Sequence, residues 1–206
     1  MRTPVGVLIS GRGTNLQALI DAQEELGAYA ITLVISNNPS AGGLARAEAA
    51  GIATAAIDHR PFGKDRESFE REIDKALRAA NVEIVALAGF MRVLTPFFVR
   101  AWEGRLINIH PSLLPAFPGR DTHARALEAG VKLHGCTAHL VTDSVDDGPI
   151  IGQAAAPVLP GDTIATLDAR VLQLEHTLYP ACLAALARGD LEANSGGALF
   201  NAWFKR

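Results

Sequence analysis

The chain has 206 residues, 49% hydrophobic and 20% charged, enough to bury a sizeable core as one domain. Its formal net charge of -3, with no Lys/Arg-rich run and no acidic tail, gives no electrostatic footprint for nucleic acid and leaves a small-molecule partner as the default. No stretch approaches a membrane span or a signal-peptide apolar region, and two isolated cysteines, Cys136 and Cys182, make neither a disulfide framework nor a zinc knuckle, so a cytoplasmic protein with reduced, buried cysteines is expected.

Val5 to Ile9 reads as a buried strand, Gly11-Arg12-Gly13 as a turn, and Leu16, Leu19 and Ile20 as the apolar face of a helix. Ile31 to Ile35 repeats the strand signal. After the loop Ser36 to Ser40 comes an alanine-rich helix, about Gly43 to Ala50, which Gly51 stops. Ala53 to Ile57 is a weaker strand, and Phe69, Ile73 and Leu77, spaced four apart between charges, predict an amphipathic helix over Asp65 to Ala80. Ile84 to Leu87 is a fourth strand, Thr95-Pro96 opens a helix, and Leu106 to His110 is a fifth strand. Short apolar strands alternating with helices predict an α/β fold with a mainly parallel twisted sheet covered on both faces. Beyond Gly119 a short helix, Thr122 to Ala129, precedes strands at Cys136 to Val141 and Ile150 to Ala156, which would add an antiparallel edge. Ile164, Leu167, Val171, Leu174 and Leu178 mark one face of a last helix, capped by Asp162 or Thr163 and expected to be kinked or interrupted at Pro180. From Asp190 onward core signals are sparse, and a loosely packed tail is expected.

Three places carry chemistry. In an extended chain Asn108 and His110 face the same way, and Pro111, Pro115 and Pro118 stiffen the loop that follows, as a preorganised site requires. Ser10 to Asn15 is a glycine loop between strand and helix that can turn backbone N-H groups toward an anion. It lacks the Gly-Lys-Ser/Thr of a Walker loop. Leu16 stands where a dinucleotide fingerprint needs glycine, so a phosphate monoester suits it better than NAD, while a plain tight turn accounts for it equally well. The acidic loop Thr142 to Gly148 offers three carboxylates, one of which would pair with His110 if the loop folds back; spacing does not select which. His134, Cys136 and His139 have a metal-like composition, but strand alternation puts His139 opposite the other two, and core or supporting roles are expected instead.

Taken together, the Ser10 to Asn15 loop, Ala88-Gly89-Phe90-Met91-Arg92, Asn108-Ile109-His110-Pro111-Ser112-Leu113-Leu114-Pro115 and Asp146-Asp147-Gly148-Pro149 resemble the glycinamide ribonucleotide formyltransferases, folate-dependent enzymes of purine biosynthesis, over nearly the whole chain. The resemblance implies a Rossmann-like formyltransferase domain over residues 1–206, with a phosphate- and nucleotide-binding half (1–105), a catalytic and folate-binding half (106–190) and a tail (191–206). It implies Asn108, His110 and Asp146 as the catalytic set. Gly13, Thr14, Asn15 and Arg66 would bind the substrate phosphate and Glu175 the ribose. Met91, Arg92, Val93 and Leu94, with the backbone of Thr142, Asp143, Ser144, Val145 and Asp146, would form the folate pocket. 10-Formyltetrahydrofolate would be the co-substrate, without a metal, in a monomer or homodimer that binds neither nucleic acid nor membrane. A cis peptide at Leu114-Pro115 is also implied. Asp147 replaces a glycine and Asp121 a histidine of some relatives. A 10-formyltetrahydrofolate hydrolase and a non-catalytic nucleotide-binding module are the alternative readings.

Overall fold

The computed structural model describes residues 1–190; the expected tail, 191–206, lies outside the described residues. In chain order the elements are β1 (Thr3–Ile9), α1 (Thr14–Leu26), β2 (Tyr29–Ser36), α2 (Gly42–Ala49), β3 (Ala53–Ala56), a 3-10 turn (Arg60–Phe62), α3 (Arg66–Ala79), β4 (Ile84–Leu87), α4 (Pro96–Ala101), β5 (Leu106–His110), α5 (Thr122–Glu128), β6 (Leu133–Leu140), β7 (Ile150–Pro157) and α6 (Ile164–Arg188). One seven-stranded sheet runs β3-β2-β1-β4-β5-β6-β7. Pairing is parallel from β3 to β5 and antiparallel at β5-β6 and β6-β7.

Strand alternation divides the apolar residues between two cores. Val5, Val7 and Ile9 of β1, Ile84 and Ala86 of β4 and Ile107 and Ile109 of β5 face α1 and α6. Leu8, Val85, Leu87 and Leu106 face the opposite layer, with Phe69, Ile73 and Leu77 of α3 and Phe98 and Trp102 at α4. Both faces are therefore covered, which is why these strands read as continuous apolar runs. Asn108 and His110 continue the Leu106 face to the carboxyl end of β5.

Two expectations are corrected. β6 begins at Leu133, earlier than Cys136, because Leu133 to Gly135 pair with Pro157 to Ala155 of β7. Nor does Pro180 interrupt α6, which runs unbroken for 25 residues. An internal proline costs a helix about 3 kcal/mol, but Tyr179, Cys182 and Leu183 around it are fully buried, and their burial outweighs the lost backbone bond. Thr163 supplies the cap of α6, in a reciprocal box with Thr166.

Candidate functional site

β1 and β4 are neighbours in the sheet although β2 and β3 lie between them in sequence. Their carboxyl ends therefore flank a topological switch point, where open α/β sheets leave a crevice. The glycine loop leaves β1 and the segment beginning at Ala88 leaves β4. They are stitched together by the Ser10 hydroxyl, which accepts from Met91 N at 2.8 Å. Gly13 caps α1 with φ 72° and makes no side-chain capping bond, so the first-turn N-H groups of α1 stay open. A Cβ at Gly13 would lie 2.6 Å from the Gly43 Cα, so glycine is needed there for close approach as well as for the left-handed turn.

At the end of β5 the sequence-predicted trio comes together. His110 is 5% exposed, and its Nε2-H donates to the Phe117 carbonyl at 3.1 Å. Its Nδ1 faces Asp146 Oδ2 at 3.4 Å. The same carboxylate oxygen accepts from Gly119 N at 2.8 Å, so the proline-rich loop holds the acid as well as the imidazole. Of the three loop acids the geometry thus selects Asp146: Asp143 turns to Arg100 at 3.4 Å, and Asp147 is exposed. The Leu114-Pro115 peptide is cis.

Asn108 stands directly opposite His139 in the β5-β6 ladder. His139 Nδ1 lies 2.9 Å from the Leu140 carbonyl, an acceptor, so Nδ1 carries the hydrogen and Nε2 is left with a lone pair. Asn108 Nδ2 donates to that lone pair at 3.2 Å. Burial holds the His139 pKa below its ordinary value, in keeping with a neutral ring. The Asn108 amide is thereby oriented by its neighbour, and its second hydrogen has no partner among the described residues.

The profile of the formyl transferase family matches residues 4–183. The chain belongs to the formyl transferase family. It is 46% identical over 193 residues to the phosphoribosylglycinamide formyltransferase of Escherichia coli (strain K12), covering 93% of this chain and 91% of that one. It is 48% identical over 197 residues to the trifunctional purine biosynthetic protein adenosine-3 of Gallus gallus; there it covers 95% of this chain but spans only 20% of the longer relative. The crystal structure of glycinamide ribonucleotide transformylase 1 from Symbiobacterium toebii superimposes with a TM-score of 0.89 at 45% identity, covering 93% of this chain and 90% of that one.

The formyl transferase fold also joins residues far apart in sequence. Asn15 Nδ2 donates to Glu175 Oε2 at 2.7 Å, linking the start of α1 to α6. Glu175 is 7% exposed, and burial pushes its carboxyl up to about 7. Arg66, at the start of α3, has its Nη1 donating to Val93 O at 3.2 Å, and it makes no hydrogen bond to Ser10–Asn15 in this structure. The reason is that α3 packs across the sheet beside the segment after β4. Met91 and Val93 are exposed, at 74% and 56%, while Arg92 and Leu94 are half-buried. Asp143, Ser144 and Val145 are exposed, and the Thr142 hydroxyl donates to Ser144 O at 3.2 Å.

His134, Cys136 and His139 part three ways: His134 bonds His123 at 3.1 Å, Cys136 is in the core, and His139 turns to Asn108. Among the described residues no group of three His, Cys, Asp or Glu side chains is arranged to hold a metal, and no helix is long and apolar enough to cross a membrane. Sequence reasoning missed the Phe117 carbonyl and the Gly119 N-H, both main-chain groups without a side-chain signature.

Proposed function

We propose that this chain transfers the formyl group of 10-formyltetrahydrofolate to the amine of glycinamide ribonucleotide, giving formylglycinamide ribonucleotide and tetrahydrofolate. The observation that carries this reading is the convergence of Asn108, His110 and Asp146 at the end of β5, with Asp146 Oδ2 3.4 Å from His110 Nδ1. Similarity to phosphoribosylglycinamide formyltransferases along most of the chain supports the choice of substrates.

Attack of the amine on the formyl carbon forms a C-N bond and puts negative charge on the formyl oxygen. The uncommitted Asn108 N-H and a protonated His110 stabilise that oxyanion. Asp146, whose carboxylate faces the His110 ring, takes the proton that the amine loses, directly or through water. Collapse restores the carbonyl and breaks the bond to the folate nitrogen, which leaves with the proton that Asp146 took from the amine. Gly13, Thr14 and Asn15 bind the phosphate through open backbone N-H groups, with Arg66 swinging from Val93 to join them, and Glu175 binds the ribose hydroxyls. Met91 to Leu94 and the backbone of Thr142 to Asp146 form the folate pocket. The division at residue 105 into phosphate and catalytic halves belongs to the same proposal, with Met91 to Leu94 as the part of the first half that serves the second substrate.

The test is to mix the protein with 10-formyltetrahydrofolate, with and without glycinamide ribonucleotide, and follow the formyl group. Transfer that requires the amine is expected. Formate release independent of it would make the protein a hydrolase, and retention of the formyl group with bound ligand would make it a binding module.

A further inference from the structure

Helix α3 carries Arg66, Phe69 and Glu70 on one face, and all three engage the segment from Arg92 to Thr95. Arg66 Nη1 donates to Val93 O at 3.2 Å, and the Arg92 guanidinium carbon lies 5.4 Å from the centre of the Phe69 ring. Glu70 accepts from Thr95 N with both oxygens, at 3.0 and 3.1 Å, and also from the Thr95 hydroxyl. Thr95 is the cap residue of α4, yet its side chain makes no capping bond and donates its hydroxyl to Glu70 instead. A carboxylate only 2% exposed is costly to bury unless its oxygens are paired, and here a single residue at the end of one loop pairs them. At the other end of that loop Met91 N is held by Ser10.

We propose that Glu70 is a positioning residue for the formyl-donor site: by fixing Thr95 it sets where the main chain of Met91 to Leu94 meets the folate. The proposal rests on the reading of that loop as part of the folate pocket. Glu70 itself touches neither substrate. It acts through Thr95, while Ser10 holds the Met91 end of the same loop to the glycine loop.

The experiment compares Glu70→Ala, Glu70→Gln and Thr95→Val with the wild-type chain. KM is measured for 10-formyltetrahydrofolate and for glycinamide ribonucleotide separately, and amide hydrogen exchange is followed across residues 91–95. Losing hydrogen bonds to a charged group is expected to raise the folate KM about tenfold in Glu70→Ala, leave the other KM within about twofold, and speed exchange at Thr95. Glu70→Gln, which retains an acceptor oxygen, should recover most of the folate KM, and Thr95→Val should give a smaller rise of the same kind even if Glu70→Ala fails to fold. An unchanged folate KM, or equal rises in both KM values, overturns the proposal while wild-type turnover persists. A wild-type chain that transfers no formyl group overturns the function instead, and unchanged exchange at Thr95 in Glu70→Ala then overturns the clamp as well.

Discussion

Asn108 and His139 face each other across the β5-β6 ladder, and the amide of the first donates to the unprotonated nitrogen of the second at 3.2 Å. Because His139 is neutral and accepts, protonating it would set two donors against each other. His139→Phe keeps the ring and removes the acceptor. Turnover should fall about tenfold, the scale of one hydrogen bond, while the circular dichroism spectrum stays unchanged.

The same residue contributes to acid sensitivity. Burial lowers the His139 pKa below the ordinary 6.5, so below that value the unfolded chain binds more protons than the native one and stability falls with falling pH. Burial shifts His123, His134 and His176 the same way, His134 to about 4. The stability these four rings contribute should therefore decline from pH 7 to pH 5, against an opposite contribution from the buried Glu70 and Glu175 carboxyls, whose pKa burial raises. His139→Phe should lose part of that dependence, and a pH dependence equal to wild type would count against a buried neutral His139.

Asp146 has φ 54°, in the left-handed region that asparagine tolerates well, so Asp146→Asn preserves the loop backbone while removing the charge beside His110. Turnover should drop about a hundred- to a thousandfold with the melting temperature unchanged, by analogy with loss of other charge-stabilising groups in such sites. Near-wild-type turnover would remove Asp146 from the mechanism.

Glu175 titrates in the opposite sense to the histidines. Burial raises its pKa from 4.5 to about 7, so across that window the native chain binds more protons than the unfolded one and stability declines as pH rises. Glu175→Gln, neutral at all pH, should match the wild-type melting temperature near pH 5 and exceed it at pH 8. The same variant should raise KM for the ribonucleotide, which separates its binding role from its electrostatic cost. A melting advantage at both pH values, or at neither, would show that the carboxylate is not the origin.

Tyr179, fully buried on α6, has its hydroxyl 3.0 Å from the Leu87 carbonyl and 3.1 Å from that of Ile107, joining β4 to β5. Tyr179→Phe leaves both carbonyls without this donor and should cost about 1–3 kcal/mol in urea unfolding. A loss within error of zero would mean that water replaces the hydroxyl.

Much of this was legible in the chain. The apolar runs of β1, β2, β4 and β5 and the four-residue spacing of Phe69, Ile73 and Leu77 specify their elements because each pattern buries only in one kind of structure. Pro180 misleads, since a local rule about a lost hydrogen bond takes no account of the burial on either side of it. Arg66 shows a related limit: its contact with Val93 joins two segments far apart in sequence, which no local pattern reports.

The sequence by itself determined the α/β class, the parallel sheet with an antiparallel edge, and the pairing of Asn108 with His110 on one strand face, since all of these follow from periodicities that act locally. Only the tertiary structure decided which of three acids meets His110, that His139 orients Asn108, that Asn15 reaches Glu175, and that Glu70 holds the end of the Met91 to Leu94 loop. Those relationships depend on main-chain carbonyls and amides and on contacts between distant segments, which come into range only after the sheet has assembled.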